Sequence, residues 1–208
     1  MNELLKELLA LLDTNARRYN AKTVFQDWVE LMGIALRNVI LKDPELEKKY
    51  LEIAKKYTEE EVENFSKAYG CLVMLFEREI TDWLGRIYME SGAGNAKTGQ
   101  FFTPFNISEM VALIEGDTKD DEEFMYEPAC GAGAMILARA KTYLAEGKNP
   151  QAIMKVVAQD IDLNCCYMAF VQMSILGLQA KVVHGDALMD TTWSTMYTPF
   201  YLMNCDSF

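Results

Sequence analysis

The segment EPACGAGAM (127–135) places an acid and two glycines between an apolar run and a stretch with helical periodicity. The run before it, EFMYE (123–127), predicts a short buried strand, and the residues after it predict a helix. Two further strand-like runs follow with an apolar helix between them: IMKVVAQD (153–160), LNCCYMAFVQMSILGL (163–178) and AKVVHGDAL (180–188). Strands that alternate with helices predict an α/β fold with a parallel sheet and right-handed crossovers.

The first 90 residues read as helices rather than strands. One helical stripe is formed by Leu4, Leu5, Leu8, Leu11 and Leu12. Asp43 followed by Pro44 predicts the start of a second helix, and Thr58 with Glu61 predicts a capping box at the start of a long helix over 59–90. We therefore predict a helical amino-terminal domain over 1–90.

The composition changes at SGAGNAKTGQ (91–100), which is rich in glycine and predicts a connector. We place a connector at 91–105 and an α/β domain at 106–208. Near the end, PFYLMNCD (199–206) predicts a fourth strand, which brings the sheet to about four parallel strands.

The chain carries 31 acidic and 20 basic residues, a formal net charge of −11. Because phosphate contacts need Lys and Arg, this balance fits poorly with a protein that grips DNA unaided. The acids either keep the protein soluble or form a face that docks a basic partner. The leucine-rich start carries Glu3, Lys6 and Glu7, and no stretch of about 20 uncharged apolar residues exists. We therefore expect no signal peptide, no membrane span and a cytoplasmic location.

The five cysteines and one histidine show no ligand-like spacing, so we expect no metal site. The odd number of cysteines in an intracellular setting predicts reduced, mostly packed thiols. The histidine, His184, precedes a Gly-Asp turn, and we interpret it as a packed or edge residue rather than a catalyst.

Each of the first three predicted strands ends in an acid: Glu127, Asp160 and Asp186. In an open parallel sheet, ligands bind at the carboxyl ends of the strands, so these acids should line one site. Gly131 and Gly133 let the first turn bend tightly and approach a ligand. Asp160 can accept from both ribose hydroxyls, and Asp186 can accept from an adenine amino group. The pattern predicts a nucleoside cofactor; the alternatives are glycines that serve only a tight turn and an Asp160 that only caps the next helix.

The glycine turn departs from the dinucleotide fingerprint, because Ile136 stands where the third glycine would be. The carboxylate of Glu127 would repel a pyrophosphate and attract a cation. A cofactor with an adenosine and a positively charged amino-acid tail therefore fits better than NAD, and S-adenosylmethionine has both.

Four segments resemble the amino-terminal half of N6-adenine DNA methyltransferases, above all the modification (methylase) subunit of type I restriction–modification systems. They are GQFFTPFNISEMVALI (99–114), YEPACGAGAMILA (126–138), AQDIDLNCCYMAFVQMSILGL (158–178) and HGDAL (184–188). The helical first 90 residues resemble the domain that precedes the catalytic domain in that family, with DWLGRIYME (82–90) as its last helix. The resemblance implies a Rossmann-like S-adenosylmethionine-dependent methyltransferase core, incomplete here, behind an all-α domain.

The resemblance also implies a set of cofactor-binding residues. Those expected at the methionine end are Gln100, Phe101, Phe102, Thr103 and Pro104, and those expected at the amino-acid moiety are Glu127, Ala129, Cys130, Gly131, Ala132 and Gly133. By the same resemblance, Asp160 binds the ribose with Ile161 against the adenine face, and Asp186 and Ala187 meet the adenine edge.

The family methylates an adenine that is flipped out of the duplex, and normally carries Asn-Pro-Pro followed by Phe or Tyr after the Gly-Asp strand. This chain has no Pro-Pro, and its nearest segment, FYLMNCDSF (200–208), offers Asn204 as the polar catalytic residue and Phe208 as the stacking residue. In the usual strand order of the family, this segment lies beside the first strand and leaves an unpaired edge. We expect that edge to be covered by self-association or by another subunit.

The resemblance implies an S-adenosylmethionine-binding domain of a restriction–modification-type adenine-N6 DNA methyltransferase. Because the Asn-Pro-Pro motif is absent, we expect it to act on DNA through a complex, with a partner subunit or as a homo-oligomer. One alternative is an inactive methyltransferase-like subunit with an interaction or regulatory role. Another is a small-molecule or protein methyltransferase, since a cofactor-binding half does not name the acceptor.

Overall fold

A computed structural model describes residues 3–93, 102–116 and 122–204 of the chain. Contacts between residues divide it into a helical unit, with residues 3–79 and 83–93, and an α/β unit, with residues 80–82, 102–116 and 122–204. Within these ranges, every helix is too short or too polar to cross a lipid bilayer. Most of the predicted connector, 94–101, lies outside the described residues, so the domain boundary stays a prediction.

The described part of the helical unit is built from α-helices: α1 (Glu3–Asn15), α2 (Ala21–Leu41), α3 (Pro44–Ala54), α4 (Glu59–Arg78) and α5 (Trp83–Glu90). Helix α1 packs along α4. The predicted leucine stripe faces this contact, because Leu5, Leu8 and Leu12 are buried. Burying side chains of this size supplies about 1.5–3 kcal/mol each, which is why an apolar stripe selects the packed face of a helix.

Both predicted helix starts are confirmed. Asp43 caps α3, and its Oδ1 accepts a hydrogen bond of 2.9 Å from the backbone N–H of Glu45. Thr58 and Glu61 form the capping box of α4: Thr58 N donates to Glu61 Oε2 at 2.7 Å, and Glu61 N donates to Thr58 Oγ1 at 3.2 Å. These side chains satisfy backbone N–H groups that have no acceptor within the helix.

The prediction of one continuous helix over 59–90 is wrong. The helix ends at Arg78, Glu79 has extended backbone angles, and α5 begins at Trp83. The indole Nε1 of Trp83 donates to the carbonyl oxygen of Glu79 at 2.9 Å. The segment between the helices, Ile80–Asp82, belongs to the α/β unit, so tertiary contacts and not helix propensity set the break.

The α/β unit contains α6 (Phe105–Glu115), β1 (Glu123–Glu127), α7 (Ala134–Ala145), α8 (Pro150–Ile153), β2 (Met154–Asp160), α9 (Leu163–Ile175), β3 (Gln179–Asp186), β4 (Thr191–Tyr197) and α10 (Pro199–Met203). The strands lie in the order β1-β2-β3-β4, and the first three are parallel, as predicted. Glu127 stands opposite Ala158, and Asp160 stands opposite His184. The carboxyl ends of β1, β2 and β3 therefore lie side by side at the same end of the sheet.

The predicted fourth strand at 199–206 is wrong. Its described part forms the short helix α10, and β4 is instead the preceding segment TTWSTMY (191–197), which pairs antiparallel with β3. A turn over 187–190, with Asp190 at a φ of 51°, joins the two strands. A turn this short can only produce an antiparallel neighbour, because a parallel crossover needs a dozen or more residues. Among the described strands, β1 and β4 are therefore the two edge strands of the sheet.

Candidate cofactor site

A cavity of about 190 Å³ lies at the carboxyl ends of β1, β2 and β3. It is lined by Pro128, Ala129, Asp160, Ile161, Gly185, Asp186, Ala187 and Leu188. Larger cavities of about 280 and 290 Å³ lie in the helical unit, but their walls are mostly apolar helix side chains. The cavity at the strand ends brings together two carboxylates, two loops and apolar side chains, which is the composition of a ligand site.

The glycine turn needs both of its glycines. Gly131 has a φ of 53° and Gly133 a φ of 100°, in the left-handed region that side chains disfavour. A Cβ on Gly131 would lie 3.2 Å from Cδ1 of Phe102. Of the residues predicted at the methionine end of the cofactor, Phe102 therefore reaches the turn, where its ring lies against Gly131.

Asp160 connects the glycine turn to the start of α9. Its Oδ2 accepts a 2.9 Å hydrogen bond from Gly131 N, and its Oδ1 accepts a 2.9 Å bond from Asp162 N. Asp162 is the residue that caps α9, since its Oδ1 accepts from Asn164 N at 2.8 Å. Asp160 is therefore not the helix cap, and its half-buried carboxylate is aimed by two backbone donors.

Asp186 holds the turn that follows β3. Its Oδ1 accepts from Leu188 N at 2.9 Å and from Met189 N at 3.1 Å. Both bonds use the same oxygen, so Oδ2 is not engaged by the turn. This arrangement positions Ala187 and Leu188 on the cavity wall.

Glu127 stands beside the cavity rather than in its wall. Its Oε1 accepts a 3.3 Å hydrogen bond from Ala129 N, and the next residue, Pro128, lines the cavity. Glu127 also lines a separate groove along the outer edge of β1. The three strand-end acids thus lie at the carboxyl ends of neighbouring strands, but of the three only Asp160 and Asp186 line the cavity.

Gln172, which our sequence interpretation left out, supports the glycine turn from below. Its fully buried Nε2 donates to the carbonyl oxygen of Ala132 at 2.7 Å and to Oδ1 of Asp82 at 2.8 Å. The signal for it was an amide in the middle of the apolar helix LNCCYMAFVQMSILGL, since a buried polar side chain must find partners.

The cysteine thiols around the glycine turn are poor nucleophiles. Cys130, Cys165 and Cys166 are buried, and burial together with nearby groups such as Asp160 raises the pKa of all three thiols, to about 12 for Cys166. Because the thiolate is the nucleophilic form, these side chains act as small packing residues. Among the described residues, no three His, Cys, Asp or Glu side chains are arranged to hold a metal ion.

The remaining predicted site residues divide into three groups. Gln100, Phe101 and Phe208 lie outside the described residues. Thr103 and Pro104 are exposed at the start of α6, where Pro104 is the residue before the first turn. Asn204 follows α10, and its Nδ2 donates to the carbonyl oxygen of Phe200 at 2.8 Å.

The structure does not bring Asn204 to the cavity. The residue before α10, Thr198, bonds to Leu178 and Ala180 at the amino end of β3, with Oγ1 donating to Leu178 O at 2.7 Å and N donating to Ala180 O at 3.0 Å. The length of β3 therefore separates this segment from Asp186. Because β4 reverses the chain, a residue that follows it arrives at the wrong end of the sheet for catalysis at the cavity.

Residues 79–204 match the family model described as N-6 DNA Methylase, which is more than half of the chain. The chain belongs to the N-6 DNA methylase family. Two curated relatives of this family member are methylase subunits of type I restriction enzymes. The MpnII subunit of Mycoplasma pneumoniae is 28% identical over 140 residues, which is 64% of this chain and 24% of the relative. The MjaVIII subunit of Methanocaldococcus jannaschii is 34% identical over 99 residues, which is 46% of this chain and 16% of the relative.

Among solved structures, the N-6 DNA methylase family member is similar to a Listeria monocytogenes protein assigned to the class I S-adenosylmethionine-dependent methyltransferases. The TM-score is 0.55 at 16% identity, and the match covers 92% of this chain and 56% of the other. This likeness confirms the predicted Rossmann-like methyltransferase fold, and the family match confirms the resemblance to restriction–modification methylases. The chain spans about a quarter or less of the length of the two curated relatives.

Proposed function

We propose that this chain binds S-adenosylmethionine at the carboxyl ends of β1, β2 and β3 and forms the cofactor-binding part of an adenine-N6 DNA methyltransferase. The observation that carries the proposal is the shared cavity of Asp160 and Asp186, next to a glycine turn where Phe102 lies against Gly131. The names of the curated relatives support a restriction–modification context.

The donors and acceptors of the cavity fit this cofactor. Asp160 presents a carboxylate whose position is set by Gly131 and Asp162, so it is already oriented to accept from two vicinal ribose hydroxyls. Ile161 is 62% exposed beside it, and a flat adenine ring would cover this apolar surface. The Oδ2 of Asp186, which the turn does not use, suits the exocyclic amino group of the adenine.

The amino-acid end of the cofactor would lie at the glycine turn. The carboxylate of Glu127 attracts its ammonium group, and the left-handed backbone of Gly131 leaves room for a close approach. Phe102, which lies against Gly131, would close over the methionine side chain. When bound, S-adenosylmethionine supplies an electrophilic methyl group beside a positively charged sulfur. The contribution of this chain is to hold the cofactor by its ribose, adenine and ammonium groups and thereby to orient the methyl group.

Methyl transfer to adenine needs residues that orient the target amine, and we propose that another chain supplies them. Asn204 is absent from the cavity wall, the segment that leads to it begins at the amino end of β3, and the sequence holds no Asn-Pro-Pro. The net charge of −11 also argues that contacts to DNA phosphates come from a basic partner.

Calorimetric titration with S-adenosylmethionine tests the binding step. We expect saturable binding to the native chain and its loss in Gly131→Trp, whose side chain would occupy the turn beside Phe102. A matched control is Gly70→Trp on α4, where a side chain meets nothing within 4 Å. Unchanged binding by Gly131→Trp, or absence of binding to the native chain, would refute the proposed site.

A second candidate function is a catalytically inactive methyltransferase-like subunit, favoured by the distance of Asn204 from the cavity. Transfer of labelled methyl groups to DNA, with and without lysate of the source organism, separates the two. Incorporation with lysate that is lost in Gly131→Trp supports an enzyme with a partner. Cofactor binding without incorporation under either condition supports the inactive subunit.

A further inference from the structure

The segment between α4 and α5 contributes a buried acid to the α/β unit. Asp82, the first residue of DWLGRIYME, belongs to that unit and is 7% exposed. Its Oδ1 accepts a 2.8 Å hydrogen bond from Nε2 of Gln172 in α9. The same Nε2 donates to the carbonyl oxygen of Ala132 in the glycine turn at 2.7 Å. One buried amide therefore joins residues that lie 90 and 40 positions from it in the chain.

The chemistry of the two partners fixes the orientation of this amide. A carboxylate and a backbone carbonyl oxygen accept hydrogen bonds and donate none. The NH₂ group of Gln172 has two hydrogens, one for each acceptor, and its side-chain oxygen could replace the nitrogen at neither of them. Asp82 therefore orients Gln172, and Gln172 orients the carbonyl group of Ala132.

The peptide group that this amide holds lies in the left-handed part of the glycine turn. Gly133 has a φ of 100°, and its N–H donates to the carbonyl oxygen of Cys130 at 2.8 Å. The peptide between Ala132 and Gly133 is thus fixed at both its oxygen and its nitrogen. Helix α9 supports it at a second point, since a Cβ on Gly133 would lie 3.6 Å from Cα and Cβ of Ala169, which is one helical turn before Gln172.

The neighbouring peptide group contacts the candidate cofactor site. The N–H of Gly131 donates to Oδ2 of Asp160, and Asp160 lines the cavity. A rotation of the Ala132 carbonyl would carry the backbone of Gly131 with it, because the two residues are adjacent. Hydrogen bonds that hold the contacting groups in place lower the cost of ordering them when a ligand binds.

We infer that Asp82 and Gln172 are positioning residues of the cofactor site. Neither side chain lines the cavity, and both act through the glycine turn. The inference rests on the proposed binding of S-adenosylmethionine at this cavity. It assigns a role to the first residue of DWLGRIYME, which lies outside the glycine turn and the strand ends.

The α/β unit also offers a matched control at the opposite end of the sheet. Gln179, the first residue of β3, is 6% exposed, and its Nε2 donates to the carbonyl oxygen of Gln151 at 3.1 Å. It is a buried amide bonded to a backbone carbonyl, as Gln172 is, but the length of β3 separates it from Asp186. A role limited to stability predicts the same result for both glutamines.

Calorimetric titration of the full chain with S-adenosylmethionine tests the inference in Gln172→Met and Gln179→Met. Methionine keeps the length of the side chain and removes the amide donor. Both variants should lose stability in urea unfolding. At a temperature where both are folded, Gln172→Met should bind about tenfold more weakly than the native chain, because the turn loses a buried hydrogen bond. Gln179→Met should bind like the native chain.

Hydrogen exchange without ligand measures the turn directly. Exchange of the Gly133 amide should be faster in Gln172→Met than in the native chain, and unchanged in Gln179→Met. Substitutions of Asp82 add a test by conservative rescue: Asp82→Leu should lose about as much affinity as Gln172→Met, whereas Asp82→Asn keeps an oxygen that can accept from Gln172 and should retain most of the affinity.

Native affinity in Gln172→Met, or equal losses in Gln172→Met and Gln179→Met, would overturn the inference and leave the cofactor site in place. Absence of binding to the native chain would instead refute the proposed function. In that case the exchange of Gly133 still decides whether Gln172 holds the turn, and an unchanged rate in Gln172→Met would show that it does not.

Discussion

The acids of the helical unit and those of the strand ends are held in different ways. In the helical unit, Asp27 is 7% exposed and accepts from the hydroxyl of Tyr57 at 2.8 Å and from Nζ of Lys56 at 3.0 and 3.2 Å. At the strand ends, Asp160 and Asp186 are half-buried, and their carboxylates accept hydrogen bonds from backbone N–H groups. The ion pair with Lys56 neutralises the charge of Asp27. The backbone donors orient the carboxylates of Asp160 and Asp186 but leave their negative charges in place.

This difference separates a structural role from a binding role. A buried carboxylate with side-chain partners stabilises the unit that contains it, because both partners lose an interaction if one is removed. A carboxylate that is positioned by backbone donors keeps its negative charge and part of its accepting capacity for a ligand. The following predictions test this comparison, beginning with the largest expected effect.

Asp27→Ala should lower the free energy of unfolding by about 3 kcal/mol, because it leaves the buried hydroxyl of Tyr57 without its acceptor. Burial and the hydrogen bond to Asp27 raise the pKa of Tyr57, which is consistent with a tightly held proton. Urea unfolding followed by circular dichroism measures the loss. Affinity for S-adenosylmethionine, measured at a temperature where the variant is folded, should not change; a large loss of affinity would contradict the separation of roles.

Asp160→Ala should weaken binding of S-adenosylmethionine about 100-fold, equivalent to about 2.7 kcal/mol, because both ribose acceptors are lost. Calorimetry measures the change. The control is Asp162→Asn, which removes a neighbouring charge and keeps an oxygen for the cap of α9. If the two variants bind equally well, Asp160 is not the ribose ligand.

The stability of the chain should fall as the pH rises above 9, and Cys166 should account for about 1.4 kcal/mol per pH unit of that fall. Burial first, and then Asp160, raises the pKa of Cys166 from 9.0 to about 12. A raised folded-state pKa gives stability that is fully present below the unfolded-state pKa and is lost as the pH rises through the folded-state value. Cys166→Ser removes this titration, so the slope between pH 9 and 10 should be shallower in the variant. Identical slopes would show that the thiol ionises equally in both states.

Gly131→Ala should cost about 1 kcal/mol of stability, since its backbone lies in the left-handed region. Its Cβ would also press on Phe102 at 3.2 Å and should weaken cofactor binding. Gly92→Ala is a matched control: Gly92 also has a positive φ, of 74°, but open space around its Cβ position. It should lose similar stability and keep its affinity, and parallel losses of affinity in both variants would show that Phe102 has no special part.

Much of the fold could be predicted from local patterns. The caps at Asp43 and Thr58 were recognisable because a side chain and a backbone N–H only a few residues apart determine them. The parallel strands were recognisable from apolar runs between helices. The break after Arg78 and the strand TTWSTMY were missed: the first depends on contacts of Ile80–Asp82 with the α/β unit, and the second contains mostly polar, exposed residues.

The residues of the candidate site likewise divide into those that local sequence patterns identified and those that they did not. The acids at the strand ends and the two glycines were identifiable by type and position, and so was the cofactor they suggest. Gln172 and the contact between Phe102 and Gly131 were not, because each joins residues that are far apart in the chain.

The sequence by itself determined where helices begin, which faces are buried and which residues end the parallel strands, since each depends on neighbours within one or two turns of chain. Only the tertiary structure decided that β4 turns back along β3, that Asn204 lies away from the cavity and that β1 keeps an open edge. These outcomes depend on the length of one turn and on which segments meet across the sheet, and no local pattern of residues encodes such long-range pairing.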